Sequence, residues 1–284
     1  MTRSKMIDNQ HIEFSIILEF IYKNSGLDFS VYRHSMIERR MGKRLSSLNI
    51  DSYLHYLDYL KNHSEEMTAL LDVLTINVTR FFRNTFTFEY IATHILPKII
   101  SKKKSSNNNQ LRIWSAGCST GEEPYSIAIL INEILEKEGL DFNTMIFATD
   151  IDKKALQSAH KAVYSFENIK NVKYELLKKY FFDRNDSYIL KPGIKQMVSF
   201  SQFDMLNKNT MIPSESIYGE FDIVFCRNLL IYINPLSHNR IFEKLCFSLV
   251  KNGILVLGKT ETTASEFTRK FEDVTGMCNI YKKR

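Results

Sequence analysis

Two glycines and one acid, each placed just after an apolar run, are the residues whose types and spacing first suggest chemistry. Gly117 and Gly121 follow the run 111–115, and Asp150 follows a second run at 145–149. In an open parallel sheet a ligand binds beyond the carboxyl ends of the strands, where glycine turns let the backbone approach it closely. A carboxylate at the end of the next strand can accept hydrogen bonds from both hydroxyls of a ribose. The pattern therefore favours a nucleoside site.

Each of these signals also has an ordinary structural interpretation. Glycines end many strands, and Asp150 could instead cap the helix that follows it. The turn does not have the GxGxxG spacing, and no phosphate-binding lysine follows it as in a P-loop, so the nucleoside need not carry a pyrophosphate. Between the common nucleoside cofactors, this favours S-adenosylmethionine (SAM) over NAD or ATP.

The frame for these residues is a series of strands that alternate with helices. Such alternation predicts a doubly wound, Rossmann-like α/β sheet. A last apolar run at 278–281 predicts an antiparallel edge strand. Apolar runs predict the other strands, and helical spacing predicts the helices between them: strands at 111–115, 145–149, 221–225 and 254–257, helices at 122–138, 152–162 and 235–250.

Two regions do not follow that alternation. Residues 1–76 have apolar residues at helical spacing and no glycine-punctuated strand, which predicts an all-α N-terminal domain. Residues 77–284 then form the second domain. Within it, turn residues surround short β-like runs at about 181–203, which predicts a small antiparallel β insertion.

Length and composition fit this two-domain arrangement. The chain has 284 residues, of which 44% are hydrophobic and 25% charged, so it can bury a full core without disulfides or metal. Its cysteines are too widely separated for a disulfide framework or a zinc site, and we expect no metal. No apolar run is long enough for a signal peptide or a membrane span, so we expect a cytoplasmic protein. The cysteines are Cys118, Cys226, Cys246 and Cys278.

The chain carries a formal net charge of +6, which suits either nucleic acid or an acidic protein partner. Part of this charge lies on a predicted helix at 37–44, whose exposed face would carry four cations within two turns. That face is either merely solvated or a docking surface for an acidic partner, and the charge alone does not choose between them. The four cations are Arg39, Arg40, Lys43 and Arg44.

A longer motif is more specific than any of these signals. Residues 114–126 read WSAGCSTGEEPYS, which closely resembles the signature of the CheR family of chemotaxis-receptor methyltransferases. Three more blocks resemble that family in the same order, and the resemblance extends over nearly the whole chain. These blocks are NVTRFFR at 77–83, ATDID at 148–152 and FCRNLLIY at 225–232.

This resemblance implies an enzyme that transfers the methyl group of SAM to glutamate side chains of membrane chemotaxis receptors. The products would be glutamyl methyl esters, which serve sensory adaptation, and S-adenosylhomocysteine. The partners would be the cytoplasmic helices of the receptors, with no nucleic acid and with membrane association only through the receptor. In some family members the β insertion binds a peptide tethered to the receptor's end by adding a strand.

The resemblance also assigns roles to residues of the matching motifs. Gly117 would lie at the cofactor turn, Glu123 would face the methionine end of SAM, and Asp150 would hold the ribose. Asp204 and Met205 would border the adenine, although the family usually has Asn where Asp204 stands. Glu123 could instead be a first-turn acid that complements the helix dipole.

The remaining roles concern the reacting centre. Asn77, Thr79 and Arg83 would reach the cofactor from the segment that joins the domains, with Arg83 nearest the reaction. Arg227 and Asn228 would close the cofactor side, and Tyr232 would lie beside the transferred methyl group. The alternatives are a surface cation for Arg83 and a buried tyrosine bonded to backbone for Tyr232.

The expected mechanism needs no general base. A glutamate carboxylate, with an ordinary pKa of about 4.3, is already ionised at neutral pH. Catalysis would then consist of holding the carboxylate in line with the methyl group, with Arg83 orienting the carboxylate and Tyr232 positioning it.

Two other functions compete with this one. A nucleic-acid methyltransferase would fit the positive charge, but such enzymes often show an Asn/Asp-Pro-Pro-aromatic motif, whereas residues 228–232 read NLLIY. A SAM-binding regulator without catalysis would keep the fold and lose the activity, since fold alone does not establish function.

Overall fold

The computed structural model describes the backbone of residues 3–284 and the side chains of residues 11–284. The chain divides into two compact units. The first contains the residues up to 76 together with 232–237, and the second contains 77–231 and 238–284. The short segment 232–237 therefore groups with the N-terminal unit, which differs from the sequence expectation that everything after residue 76 forms one domain.

The first unit is helical, as predicted, and its core comes from the apolar residues at helical spacing. Phe14, Ile17 and Ile21 of the first helix are buried together with Tyr56 and Leu57 of the third. A 3-10 turn at Phe29–Val31 joins the first two helices. The helices are α1 (Arg3–Ser25), α2 (His34–Ser47), α3 (Tyr53–Asn62) and α4 (Ser64–Leu74).

The prediction that four cations share an exposed face of α2 is wrong for two of them. Arg40 donates from Nη1 to the backbone oxygen of Val73 over 2.7 Å, and its pKa is lowered by burial. Arg44 donates from Nε and Nη2 to the carboxylate of Glu66, at 2.8 and 2.6 Å. Arg40 and Arg44 lie one helical turn apart on the same face of α2. Arg40 supplies a donor to backbone oxygens near the end of α4, and Arg44 supplies donors to the buried Glu66.

The second unit contains a seven-stranded sheet in the order β6-β2-β1-β7-β8-β10-β9. The neighbours from β6 to β8 are parallel, and the last two pairs are antiparallel. This confirms the predicted doubly wound α/β architecture. The strands are β1 (Gln110–Ala116), β2 (Asn143–Asp150), β6 (Val198–Gln202), β7 (Phe221–Cys226), β8 (Leu249–Leu257), β9 (Phe271–Asp273) and β10 (Ile280–Lys283).

Helices cover this sheet and connect its parallel strands. The longest, α7, spans Glu122–Glu138, as its helical spacing predicts, and ends at Gly139, which has a φ of +62°. Before the sheet, α5 and α6 are joined by a π-helical turn at Ile91–Ile95. The helices of this unit are α5 (Thr85–Tyr90), α6 (Leu96–Ser105), α7, α8 (Lys153–Lys161), α9 (Phe166–Ile169), α10 (Tyr174–Tyr180), α11 (Pro192–Lys195) and α12 (His238–Ser248).

Burial on both faces explains why the central strands are mostly apolar. Every residue of β7 is buried, as expected for a parallel strand covered on both faces. The indole of Trp114 on β1 is also buried, and its Nε1 donates to Oγ1 of Thr149 on β2 over 2.9 Å. The neighbouring strands β2 and β1 are thus held together just before the turns that follow them.

A small antiparallel sheet is present, but its bounds differ from the expected segment 181–203. Its order is β3-β5-β4, with β3 at Val163–Ser165, β4 at Phe181–Arg184 and β5 at Ser187–Leu190. Residues 198–202, expected to belong to the insertion, instead form β6 and pair with β2. These residues belong to the large sheet because five consecutive residues of β6 pair in parallel register with residues of β2.

The C-terminal strand β10 is not the edge strand that the sequence predicted, because it lies second from the edge of the sheet. It pairs antiparallel with β8 on one side and with β9 on the other, so β9 is the edge. β9 has only three residues, too few for a sequence period. Within residues 3–284, none of the helices combines the length and the apolar character that a membrane crossing requires.

Candidate active site

The glycine turn after β1 is a left-handed backbone segment that leads into α7. Gly117, Ser119 and Gly121 have φ values of +77°, +49° and +94°. The N–H groups of Gly117 and Cys118 both donate to the backbone oxygen of Thr149, at 2.8 and 2.9 Å. These bonds fold the turn over the end of β2. The sequence prediction of a glycine turn at the carboxyl edge of the sheet is therefore correct in its geometry.

Asp150 ends β2 and lies directly beside this turn. Its Oδ2 accepts from the Ser119 N–H over 2.7 Å, and its Oδ1 accepts from the Asp152 N–H over 3.0 Å. Burial raises the pKa of this carboxyl group, and the two backbone donors oppose the rise. A carboxylate offers about four acceptor positions, so capacity remains for two hydroxyl donors.

The alternative role of Asp150, as the N-cap of α8, is filled by another residue. Asp152 stands at the N-cap of α8, and its Oδ1 accepts from the N–H groups of Lys154 and Ala155 at 2.8 and 3.1 Å. Asp150 therefore does not have the capping role at this helix. Its carboxylate instead braces the turn between β1 and α7.

Asn77 extends the same hydrogen-bonded cluster. Its Nδ2 donates to Oδ2 of Asp152 over 2.7 Å, and its Oδ1 accepts from the Ser119 hydroxyl over 2.9 Å. Asn77 and Asp150 thus meet through Ser119, although 73 positions separate them in the sequence. Thr79 lies two residues further along and is partly exposed.

Arg83 lies in a stretch of unusual backbone. Its neighbours Phe82 and Asn84 have φ values of +50° and +62°, a region that non-glycine residues seldom occupy. Arg83 itself is only partly buried, and its Nη1 donates to the backbone oxygen of Val78 over 2.7 Å. Such strained backbone is concentrated at functional sites, because the surrounding structure must hold it in place.

Glu123 and Arg227 form a buried ion pair. Nη1 of Arg227 donates to Oε2 of Glu123 over 2.9 Å, while Oε1 of Glu123 accepts from the Ser115 hydroxyl over 2.8 Å. Nη2 of Arg227 donates to the Arg83 backbone oxygen at 2.8 Å and to Oδ1 of Asn84 at 3.0 Å. This guanidinium therefore joins the strand ends of β1 and β7 to the strained segment.

Sequence reasoning missed an acid that organises the turn after β7. Glu261 is 3% exposed, and its Oε2 accepts from the N–H groups of Asn228 and Gly258 at 2.8 and 2.7 Å. Its Oε1 accepts from the Ile231 N–H over 3.2 Å. Glu261 follows Gly258, just beyond the apolar run 254–257, but its partners at Asn228 and Ile231 lie in another turn that the sequence does not connect to it.

Asp204 and Met205 follow β6 and begin a tight turn. The Phe203 N–H donates to the backbone oxygen of Asp150 over 3.0 Å, which keeps this turn next to the end of β2. Oδ1 of Asp204 accepts from the Leu206 N–H over 2.8 Å, and Met205 is buried. The carboxylate therefore shapes its own turn with one oxygen.

Tyr232 and the four cations of α2 belong to the helical unit. Tyr232 packs against the core of that unit, and its backbone oxygen accepts from the Arg33 N–H over 2.9 Å. Arg39 and Lys43 are exposed and lie four residues apart on α2, so they share one helical face. The second unit thus brings together the predicted residues at the ends of β6, β2, β1 and β7, and Tyr232 is not part of that unit.

Comparisons with known proteins agree with this geometry. Residues 77–279 match the sequence model described as "CheR methyltransferase, SAM binding domain", and residues 12–75 match that of the "CheR methyltransferase, all-alpha domain". The chain is 32% identical over 253 residues to the chemotaxis protein methyltransferase of Borreliella burgdorferi, covering 88% of each chain.

Two further relatives carry similar names. The chemotaxis protein methyltransferase of Escherichia coli is 31% identical, with 95% of this chain and 90% of the relative covered. The chemotaxis protein methyltransferase 2 of Vibrio cholerae is 33% identical, with 95% and 93% covered. The family model alone matches more than half of the chain, and the resemblance noted in the sequence motifs is confirmed. The chain belongs to the CheR family of SAM-dependent methyltransferases.

Proposed function

We propose that this chain methylates glutamate side chains of chemotaxis receptors and forms glutamyl methyl esters. The observation that carries the proposal is that residues from all four family motifs meet in the second unit, at the carboxyl edge of one sheet. Asn77, Asp150 and Arg227 come from three of these motifs, and Gly117 begins the turn of the fourth. The relatives carry the name of chemotaxis protein methyltransferases, which supports receptors as the acceptors.

The residues at this edge fit the chemical parts of SAM. Asp150 retains acceptor capacity for the ribose hydroxyls, and Glu123 offers a carboxylate to the positively charged methionine end. Arg227 would hold the Glu123 carboxylate in place for this contact, since its Nη1 donates to Oε2 of Glu123 over 2.9 Å. Asp204 and Met205 would border the adenine from the turn after β6.

The reaction needs positioning more than proton transfer. SAM supplies a methyl group that is activated by its sulfonium charge. A glutamate carboxylate is already ionised at neutral pH, so no residue has to remove a proton. The planar fork of Arg83 would orient this carboxylate, and the backbone around Arg83 is held by Arg227 through the Arg83 backbone oxygen. Tyr232 would position the acceptor.

The helical unit would contribute the docking of the acceptor. Of the four cations expected on α2, Arg39 and Lys43 are the exposed pair, and Gly42 beside them leaves open space above the backbone. Glutamate-rich cytoplasmic helices of receptors would be steered and aligned by such a cationic stripe. Arg40 and Arg44 would act indirectly, by holding α2 in place.

The test supplies the purified chain with methyl-labelled SAM and two acceptors, receptor-containing membranes and nucleic acid. We expect label in the receptor band that resists nuclease and is released by mild alkali, as methyl esters are. Label in nucleic acid alone would favour the competing methyltransferase function. Tight SAM binding with no transfer to either acceptor would favour a regulator without catalysis. The sequence NLLIY at residues 228–232 already argues against the nucleic-acid enzyme.

A further inference from the structure

A buried lysine lies under the turn that the proposed function assigns to adenine. Lys244 on α12 is 1% exposed, and its Nζ donates to the backbone oxygens of Asn207 and Asp204 at 2.6 and 3.2 Å. One helical turn earlier, Arg240 donates from Nη1 to the backbone oxygen of Leu206 over 3.0 Å. Two cations of one helix therefore hold three backbone oxygens of the turn 204–207.

The same lysine also contacts an aromatic ring. Its ammonium lies 4.8 Å from the centre of the Phe203 ring, a cation–π contact. Phe203 in turn packs edge-on against Trp114 of β1, with ring centres 5.6 Å apart. Lys244 thus connects the turn after β6 to β1, and Asn207 closes the turn by donating its N–H to the Asp204 backbone oxygen over 3.2 Å.

A lysine is an expensive residue for this place if only packing is required. An apolar side chain would fill the space without the cost of desolvating a charge. Bonds from an ammonium to carbonyl oxygens are roughly twice as strong as those from a neutral donor. The charged lysine is therefore better suited than an apolar residue to hold the backbone oxygens of this turn in one arrangement.

We propose that Lys244 is a positioning residue whose ammonium sets the shape of the turn 204–207 and thereby the affinity for SAM. The inference rests on the proposed function, because it takes Asp204 and Met205 as the adenine contacts. It goes beyond that function by assigning a role to a residue that does not itself touch the cofactor.

The environment makes this charge sensitive to pH. Burial lowers the pKa of Lys244 to about 8, with Asp204 opposing this change and Arg240 adding to it. SAM affinity should then fall as the pH rises through about 8. Fold stability should move the other way, since a lysine with a lowered folded pKa costs stability below that pKa, and the cost disappears as the folded state loses its proton.

The test compares SAM dissociation constants of the wild type, Lys244→Arg and Lys244→Met by calorimetry at pH of about 7 and 9. The arginine variant stays charged, so it serves as the reference for the titration of SAM's own amino group, whose ordinary pKa is about 7.7–8.0. We expect the wild type to lose roughly fivefold more affinity than Lys244→Arg over this range. We expect Lys244→Met to bind weakly at both pH values.

A second measurement does not depend on the arginine variant, because the larger guanidinium would have to fit the buried position of Lys244. Binding of SAM at pH of about 8 should take up a fraction of a proton more in the wild type than in Lys244→Met, measured in buffers of different ionisation enthalpy. The exposed Lys251→Met is the matched control and should behave as wild type in both experiments.

The outcomes separate this inference from the function on which it rests. Equal pH dependence in all variants, with Lys244→Met binding as tightly as wild type, would overturn the positioning role and leave the SAM site intact. A wild type that binds no SAM at neutral pH would overturn the site assignment and the positioning role together.

Discussion

Arg227 and Glu123 are joined by a 2.9 Å ion pair in which the side chains are 2% and 12% exposed. The pair links the turn after β7 to the start of α7, and Nη2 of the same guanidinium donates to the backbone oxygen of Arg83 and to Oδ1 of Asn84. The guanidinium also lies 5.2 Å from the centre of the Phe88 ring. This pair therefore connects α7, the turn after β7 and the backbone around Arg83.

Replacing Arg227 by Lys should break this tie without changing the formal charge. One ammonium cannot reproduce the planar fork that serves Glu123, Arg83 and Asn84 together. We expect the free energy of unfolding to fall by about 2–4 kcal/mol, since a buried pair loses much of its compensation. SAM affinity should fall at least tenfold. Urea unfolding and calorimetry measure the two effects, and the exposed Arg184→Lys should change neither.

Asp150→Asn tests the proposed ribose contact. The asparagine keeps one acceptor for the backbone donors of Ser119 and Asp152 but brings an NH₂ group where the second oxygen accepted. We expect SAM binding to weaken by about 10- to 100-fold, since charged acceptors contribute about 1.5–3 kcal/mol. The exposed Asp186→Asn in the β4–β5 turn is the control. Unchanged affinity in Asp150→Asn would remove the ribose role.

The glycines at positions 121 and 42 should respond oppositely to replacement by Ala. Gly121 has a φ of +94°, and a Cβ there would lie 2.9 Å from the Cβ of Ala159, so α8 would have to shift. Gly42 lies within α2 and has nothing within 4 Å. We expect Gly121→Ala to lower the free energy of unfolding by about 1–3 kcal/mol. Gly42→Ala should raise it by about 0.5–1 kcal/mol. Equal effects of the same sign would contradict the described geometry.

Arg44→Ala should destabilise the helical unit. It would leave Glu66, whose side chain is 4% exposed, with only the Tyr56 hydroxyl, which donates over 2.6 Å. The expected loss is about 3–5 kcal/mol. Urea unfolding at neutral pH measures it. The exposed neighbour Lys43→Ala should have little effect.

The same ion pair predicts a pH dependence. Burial acts to raise the pKa of Glu66, but the hydrogen bonds from Arg44 and Tyr56 outweigh it and leave this pKa below its ordinary value. Stability from Glu66 is therefore present above the unfolded pKa of about 4.3 and is lost as the pH falls through the folded pKa. In Arg44→Ala this loss at acid pH should be absent. An unchanged acid dependence would show that the pair does not control it.

The sequence predicted those features that depend on local residue patterns. The strand-like runs at 111–115 and 221–225 predicted two strands of the parallel sheet, which the structure confirms as β1 and β7. Glu261 was missed because its role is to accept three backbone N–H groups from two separate turns, which only the folded chain brings together.

The cations of α2 show why the rest could not be predicted. Arg39 and Arg40 are neighbours in sequence with the same charge, yet one is exposed and the other bonds to the end of α4. A helical period separates the two faces but does not say which face meets another helix. The burial of Lys244 was likewise unpredictable, because a lysine within an amphipathic pattern ordinarily points to solvent.

The most direct test of the central claim is the initial rate of alkali-labile methyl transfer to receptor membranes by the wild type and Arg83→Ala. SAM is held at concentrations that saturate each protein, and Arg184→Ala serves as the control. We expect receptor label that mild alkali releases, with a rate about 10²-fold lower in Arg83→Ala, because the acceptor carboxylate is no longer held in line. Equal rates in the two proteins, or label that survives alkali, would contradict this claim.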